Sequence, residues 1–215
     1  MMPLPIKIKV CGMKYADNIL DVAAFKPDYL GFIEYESSPR FVQGHMIPDL
    51  LPADILRVGV FVNAEPEVLL MKGKGEYDLL QLHGNESVDL VKQLKDNGIK
   101  VIKVFSVDDD FDFNVTKAYV DLADYFMFDT KGKLYGGNAK IFNWDMLRHY
   151  DQEVPFFLSG GLSAENLDRI NELEHMNLHA IDLNSGVEIS HGVKDIEKLK
   201  RVYALMQTYN QPLKS

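Results

Sequence analysis

The sequence contains almost no cysteine: Cys11 is the only one among 215 residues. A single thiol excludes an internal disulfide framework and fits a reducing compartment. Long hydrophobic runs are absent as well, since no stretch approaches the roughly 18 apolar residues of a membrane span. The N-terminal segment MMPLPIKIKV does not have the pattern of a secretory signal. We therefore expect a cytoplasmic protein with no membrane attachment.

Basic residues are also scarce relative to acidic ones. The chain has 23 Lys and Arg against 32 Asp and Glu, which gives a net charge of −9. Without a basic cluster, this charge argues against nucleic acid and anionic membranes as partners. An anionic ligand must then be bound by local groups that act against the overall charge.

The apolar residues that are present fall into eight short runs rich in Val, Ile and Phe. They are IKIKVCG, DYLGFIEY, ILRVGVFV, YDLLQLHG, KVIKVFSV, ADYFMFDT, VPFFLSGG and LHAIDLNSG. Amphipathic segments separate most of them, and strands that alternate with helices pair in parallel through right-handed crossovers. The pattern predicts an α/β fold, a single (β/α)8 barrel over residues 1–215. A doubly wound open sheet is the alternative, but the first strand is not followed by G-x-G-x-x-G.

Helical periodicity is clearest in three of the intervening segments. Residues 87–98 have apolar side chains at helical spacing and end at Gly98. Residues 163–173 begin with Ser163 as a candidate N-cap. Residues 194–206 continue the same pattern near the C-terminal end.

Polar residues stand at the carboxyl ends of several predicted strands, where barrel enzymes build their sites. Cys11 ends the first strand, His83 the fourth and Asp129 the sixth. Strand alternation places Lys9 and Cys11 on the inward face. Each residue also has a structural interpretation: a core thiol for Cys11, a hydrogen-bonded imidazole for His83 and a turn cap for Asp129.

Glycine-rich turns follow the last two strands. Gly160 and Gly161 lead toward a predicted helix, whose N-terminal N–H groups and dipole favour an anion. Asn184, Ser185 and Gly186 form a second turn of this kind. Turns after strands seven and eight commonly hold a phosphate in barrel enzymes.

Arg40 lies in the loop ESSPRFVQG after the second strand. Pro39 stiffens this loop. Arg40 is either a solvated loop residue or, near an anion site, a planar clamp for a carboxylate or phosphate.

Taken together, these motifs resemble the phosphoribosylanthranilate isomerase family nearly from end to end. The resemblance depends on the order and spacing of KVCGM, GFIEYESSPRFV, RVGVFVN, LLQLHGNES, MFDTKGKLYGGNAKIFNW, LSGGLSAEN and IDLNSGVEISHGVKD. It implies an aldose–ketose isomerase of tryptophan biosynthesis that performs an Amadori rearrangement on a phosphosugar. It also implies that no cofactor is required. His83 has no companion histidines at other strand ends, so we expect no metal site, and the sequence leaves a monomer or a homodimer open.

The resemblance assigns a role to each motif residue. Cys11 is the general base, Asp129 the general acid, and Arg40 orients the anthranilate carboxylate. Asp182 contacts the substrate near its amine. Positive charge from Lys9 or from an iminium that develops on the substrate would lower the pKa of Cys11, as a base requires. We expect this lowering, and a raised pKa for Asp129, when substrate is present. The remaining substrate-binding candidates are His83 and the two glycine-rich turns.

The chain departs from the family pattern at three places. Asn138-Ala139 replaces part of a glycine-rich run, Asn184 replaces a serine, and Glu34 stands where an aromatic residue is common. Phe32 either lines a slot for the anthranilate ring or belongs to the core. The alternatives to the isomerase are a related ribonucleotide isomerase that uses two aspartates, a metal-dependent pentose-phosphate epimerase, and a barrel that binds a phosphosugar without catalysis.

Overall fold

The computed structural model describes residues 5–42, 51–130 and 143–210. Its main sheet is a closed barrel of eight parallel strands in sequence order, β1 to β8, so the barrel prediction is confirmed. The strands are β1 Lys7–Val10, β2 Tyr29–Ile33, β3 Leu56–Phe61, β4 Leu79–Leu82, β5 Val101–Val107, β6 Tyr125–Thr130, β7 Phe156–Leu158 and β8 Leu178–Leu183. Each lies within one of the eight predicted apolar runs.

The described residues contain four α-helices and several short 3-10 segments, which lie between the strands or, for the last helix, after them. The helices are α1 Ala16–Ala23, α2 Pro66–Gly75, α3 Val88–Asp96 and α4 Ile196–Tyr209. The Ser87 side chain caps α3 by accepting a hydrogen bond from the Leu90 N–H, and the Asp195 side chain caps α4. The longer 3-10 segments are Phe113–Tyr119, Trp144–His149 and Leu167–Leu173, after β5, β6 and β7 respectively. Among the described residues, no helix is long and apolar enough to cross a membrane.

The helix predicted to begin at Ser163 is wrong in its start and in its type. A 3-10 segment begins only at Leu167. The reason is local, because the Asn166 side chain accepts from the Ser163 N–H at 2.9 Å and donates to the Gly161 carbonyl at 2.9 Å. An asparagine that bonds to nearby backbone groups in this way competes with the helical ladder. The segment from Gly161 to Asn166 is therefore a closed turn.

Side-chain alternation separates the two faces of the barrel wall. Ile8 and Val10 face outward and belong to the cluster that packs against the helices, as predicted. The barrel interior contains a second, smaller cluster, with Val58, Met127 and Phe157 among its members. Phe32 belongs to the outer cluster and packs against Tyr77, so it is a core residue and does not line a ring slot.

A two-stranded antiparallel sheet follows β8 and was not anticipated from the sequence. It consists of β9 Glu188–Ser190 and β10 Val193–Lys194. Asn18 on α1 anchors it, because its amide accepts from the Lys194 N–H at 2.7 Å and donates to the Lys194 carbonyl at 3.0 Å. This β9–β10 hairpin lies beside the carboxyl ends of the strands, which we call the mouth of the barrel.

Candidate active site

Adjacent strands bring Lys9 and Asp182 together inside the barrel. The two residues are Cα partners in the β1–β8 ladder. Lys9 is fully buried, and its Nζ donates to Asp182 Oδ1 at 2.8 Å. Burial alone would lower the pKa of Lys9, but Asp182 and Cys11 raise it above its usual value. Lys9 is therefore a buried ammonium, and Asp182 is its counter-ion.

Cys11 lies immediately after β1, and its side chain points into the barrel as alternation predicts. Its sulfur fills the space above Gly31, where an added Cβ would lie 2.7 Å from Cys11 Sγ and 3.1 Å from Lys9 Nζ. Gly31 thus leaves room for the thiol beside the ammonium. The thiol is 3% exposed.

Burial and neighbouring charge act on the pKa of Cys11 in opposite directions. Burial raises the pKa of the thiol above its usual value and outweighs the lowering effect of Lys9 and Lys194. The sign of the Lys9 effect agrees with the expectation from the sequence, while the shift expected with substrate present stays a prediction. A base at this position needs further positive charge from the bound substrate.

Arg40 is buried at the mouth and is not a solvated loop residue. Its Nε and Nη2 donate to Glu188 Oε1 and Oε2 at 2.8 and 2.6 Å. Its Cδ also lies close to Gly12, because a Cβ added at Gly12 would be 2.8 Å away. The guanidinium stem therefore passes next to the residue that follows Cys11.

His83 and Asp129 meet across the mouth, although their strands are not neighbours. His83 Nε2 lies 3.3 Å from Asp129 Oδ2. On its other side, His83 Nδ1 lies 3.4 Å from the Gln81 amide nitrogen. The sequence did not predict this pairing. It places an imidazole beside the candidate acid.

The two glycine-rich turns pack against each other. A Cβ at Gly186 would lie 2.1 Å from the Leu162 carbonyl oxygen, and one at Gly160 would lie 2.1 Å from Thr130 Oγ1. Gly160 and Gly161 both have positive φ, at 102° and 69°. No α-helix starts at either turn, and the second turn continues only into a three-residue 3-10 segment, Ser185–Val187. Any anion binding therefore depends on the N–H groups of the turns and not on the dipole of an α-helix.

Two of the three departures from the family pattern have structural explanations. Asn184 Oδ1 accepts from Lys194 Nζ at 2.8 Å, so the amide is part of the site. Glu34 faces away from the mouth, where it accepts from Tyr77 and Lys72 at 2.7 and 2.8 Å. The third departure, Asn138-Ala139, lies outside the described residues.

Around the barrel axis, the inward polar groups form a nearly continuous series. Ser159 follows β7 and donates to Asp182 Oδ2 at 3.3 Å, and Ser159 N donates to the Phe128 carbonyl at 2.9 Å. Cys11, immediately after β1, and Asp129 on β6 therefore belong to one rim, with β7 and β8 between them. Sequence reasoning missed Glu188 and Lys194, whose only signal was their position in the motif that follows β8.

Comparisons with known proteins agree with this geometry. The family model for N-(5'-phosphoribosyl)anthranilate (PRA) isomerase matches residues 8–204. The N-(5'-phosphoribosyl)anthranilate isomerase of Parabacteroides distasonis is 44% identical over 198 residues, which cover 90% of each chain. The enzyme of Phocaeicola vulgatus is 41% identical over 190 residues, which cover 87% of this chain and 91% of that protein.

Solved structures of the same kind of enzyme have the same fold. Phosphoribosyl anthranilate isomerase from Thermotoga maritima aligns with a TM-score of 0.81 at 30% identity and covers 94% of this chain and 99% of its own. A second structure is the isomerase in complex with reduced 1-(o-carboxyphenylamino)-1-deoxyribulose 5-phosphate. It aligns with a TM-score of 0.77 at 27% identity and covers 94% of this chain and 99% of its own.

Proposed function

The chain belongs to the N-(5'-phosphoribosyl)anthranilate isomerase family, and from that membership we infer how its mouth residues perform the reaction. It is an isomerase of tryptophan biosynthesis that converts N-(5-phosphoribosyl)anthranilate to 1-(2-carboxyphenylamino)-1-deoxyribulose 5-phosphate. The single observation that supports the assignment to this site is the rim of inward polar side chains from Cys11 to Asp129.

The reaction needs one acid and one base and no net oxidation. A proton delivered to the furanose ring oxygen lets the C1′–O bond break and gives a protonated Schiff base. Removal of the C2′ proton then gives an enolamine, which tautomerises to the ketone. Asp129 is the acid in this proposal, and Cys11 is the base. General acid–base steps of this kind each accelerate a reaction by roughly 10²- to 10⁴-fold.

The raised pKa of Cys11 becomes compatible with this role once the ring has opened. The protonated Schiff base is a cation, and a cation beside the thiol favours the thiolate. Lys9 and Lys194 already lower the pKa of the thiol. The base is therefore activated at the step that needs it, and the free thiol stays protonated before substrate arrives.

The remaining polar groups at the mouth are assigned to the other parts of the substrate. Arg40 is assigned to the anthranilate carboxylate, because a planar guanidinium suits a carboxylate. Asp182 is assigned to the region of the amine. The phosphate is assigned to the N–H groups of the turns at residues 160–161 and 184–186. His83 is assigned to a substrate hydroxyl beside Asp129.

The protein as a whole is proposed to form one domain over residues 1–215 and to work in the cytoplasm. Its single thiol fits a reducing compartment. It is proposed to act as a monomer or a homodimer, and size-exclusion chromatography with light scattering distinguishes the two.

A fluorescence assay tests the proposed function. The substrate is made in the cuvette from anthranilate and an activated ribose phosphate, and turnover is followed by the loss of its anthranilate-type fluorescence. We expect catalytic turnover by the wild-type protein. A flat trace with demonstrated binding would instead indicate a barrel that binds a phosphosugar without catalysis.

A further inference from the structure

The β9–β10 hairpin places two buried charged residues opposite each other, and the reaction described above uses neither directly. Glu188 and Lys194 are Cα partners in its ladder. They are 8% and 1% exposed, whereas Ile189 between them in sequence is 72% exposed. A two-stranded surface sheet rarely buries two charges for its own stability, because desolvating them is costly. Their burial therefore indicates a role for Glu188 and Lys194 at the mouth of the barrel.

Glu188 is held in place by its own hairpin. Its Oε1 accepts from Gly192 N at 3.1 Å and from Lys194 Nζ at 2.8 Å. Lys194 also donates to Asn184 Oδ1 at 2.8 Å and reaches the Asn184 carbonyl at 3.4 Å. The three protons of the ammonium thus have three acceptors. The carboxylate cannot move without disrupting this set of bonds.

The fixed carboxylate in turn fixes Arg40. The fork formed by Nε and Nη2 is bound bidentately. This geometry leaves Nη1 and the second proton of Nη2 unused by Glu188, and these atoms form the other planar edge of a guanidinium. Arg40 and Glu188 are 148 residues apart in sequence. Their contact therefore joins the loop after β2 to the hairpin after β8.

We propose that Glu188 is a positioning residue for recognition of the substrate's ring carboxylate. It binds one edge of the Arg40 guanidinium so that the other edge is held ready for that carboxylate, and Lys194 locks Glu188 in place. The proposal depends on the proposed function, because it needs a substrate that carries a carboxylate on its aromatic ring.

Burial and charge are consistent with this arrangement. Burial alone would raise the pKa of Glu188, but Arg40 and Lys194 lower it to about 2. Glu188 is therefore ionised throughout the neutral range, so its contact with Arg40 persists at neutral pH. A merely structural ion pair would stabilise the hairpin equally well but would be indifferent to the substrate carboxylate.

Two ligands that differ only in that carboxylate distinguish a positioning role of Glu188 from a purely structural one. Reductive amination of ribose 5-phosphate with anthranilate or with aniline gives stable secondary amines with and without the ring carboxylate. Calorimetry measures the dissociation constant of each for the wild type and for Glu188→Gln. Binding needs no turnover, so the measurement does not depend on how well either ligand reacts.

In the variant, we expect the anthranilate-derived ligand to bind roughly 10- to 100-fold more weakly, the size of a lost charge-assisted contact. The aniline-derived ligand should change by less than about 3-fold, since it does not use Arg40. Equal weakening of both ligands would overturn the proposal. Tighter binding of the anthranilate-derived ligand would also overturn it, because Glu188 would then be a competitor for Arg40.

The chain offers a matched control in Arg169 and Glu172. This pair has the same bidentate geometry, at 3.0 and 2.9 Å, but lies on the exposed surface. Glu172→Gln should change neither dissociation constant. If Glu188→Gln fails to fold, Glu188→Asp gives the same test, because its shorter side chain keeps the charge but cannot keep both contacts.

The dissociation constants of the wild type distinguish a failure of the positioning proposal from a failure of the proposed function. A wild type that prefers the anthranilate-derived ligand supports the proposed substrate, and the variant then decides the role of Glu188. A wild type that binds the two ligands equally would contradict the proposed substrate itself and the positioning role with it.

Discussion

At the scale of single residues, Cys11 shows how burial and neighbouring charge act on one group in opposite directions. Its pKa is raised by burial, while Lys9 and Lys194 lower it. A general base works only when it is deprotonated. The free protein therefore holds the proposed base in its protonated form at neutral pH.

The pH dependence of kcat/KM should report this balance, since it follows the ionisation of the free enzyme. We expect kcat/KM to rise with pH through neutrality and to keep rising above the pKa of about 8.5 that a free thiol has. A raised pKa moves the rising limb to higher pH, because more alkaline conditions are needed to remove the proton.

The Lys9→Met variant tests whether the charge of Lys9 lowers the pKa of Cys11. Loss of the lowering charge should move the rising limb of the pH profile further toward high pH. A wild-type profile that is already flat at pH 7 would contradict the assignment of the limb to a buried thiol.

Some of the site was predictable from single residues and some was not. The inward direction of Lys9 and Cys11 follows from alternation along one strand, which is local. The pairs Arg40–Glu188 and His83–Asp129 depend on which strand ends and loops the barrel brings together at its mouth. That geometry arises only when the barrel closes, and no local pattern encodes it.

At the scale of elements, the turns after β7 and β8 are in close contact, which makes them sensitive to substitution. Gly186 has no room for a side chain because the Leu162 carbonyl oxygen is too near. Backbone atoms cannot move aside as a flexible side chain can. The two turns proposed to bind the phosphate must therefore separate if Gly186 is replaced.

Gly186→Ala should raise the KM for the phosphosugar and lower the free energy of unfolding by about 1–3 kcal/mol, as overpacking does. Gly75→Ala is the matched control. Gly75 ends α2 and has no atom within 4 Å of an added Cβ, so we expect no loss of stability and a gain of up to about 1 kcal/mol. An unchanged KM in Gly186→Ala would show that the turns do not bind the phosphate.

Helix prediction succeeded where periodicity and capping agreed. Helix α3 has both an apolar stripe and the Ser87 cap, and Gly98 beyond it has a φ of 75° that suits a helix stop. Residues 163–173 also have the apolar stripe, but Asn166 closes a turn and delays the helical segment. Side-chain competition of this kind is not visible in the hydrophobic pattern.

At the scale of the whole molecule, the two ends of the barrel have different chemistry. The mouth collects charged groups, whereas the opposite end is closed by aromatic packing. There His179 Nε2 lies 2.7 Å from the Tyr29 hydroxyl, and the imidazole packs against Tyr125 and Phe157. Burial and Lys7 lower the pKa of His179 from 6.5 to about 4.

This lowered pKa predicts acid destabilisation in a defined window. Between pH 6.5 and about 4 the unfolded chain binds a proton at His179 that the folded chain does not. The free energy of unfolding should therefore fall as pH drops through this window, by on the order of 2–3 kcal/mol. Urea unfolding at pH 7 and pH 4.5 measures the loss.

Two variants test whether His179 causes this loss of stability. His179→Gln cannot be protonated and should lose less stability than the wild type over the same pH range. His175→Gln is the control, since His175 is 90% exposed and should behave like the wild type. Equal losses in His179→Gln and the wild type would contradict the prediction.

The barrel itself was the most predictable feature of the molecule. Eight apolar runs that alternate with amphipathic segments leave few topologies, and a closed barrel accommodates eight parallel strands. The β9–β10 hairpin was missed because its strands have only three and two residues. Its importance lies in two buried charges, which sequence patterns tend to place on the surface.

The account depends most directly on Cys11 and Asp129 as base and acid on one rim. The decisive measurement is kcat for N-(5-phosphoribosyl)anthranilate in Cys11→Ala and Asp129→Asn, with thermal unfolding recorded on the same samples. We predict that each variant loses kcat by at least roughly 10²-fold while its unfolding transition stays close to that of the wild type. A folded variant of either kind that turns over substrate within a few-fold of the wild type, by about 3-fold or less, would contradict the account.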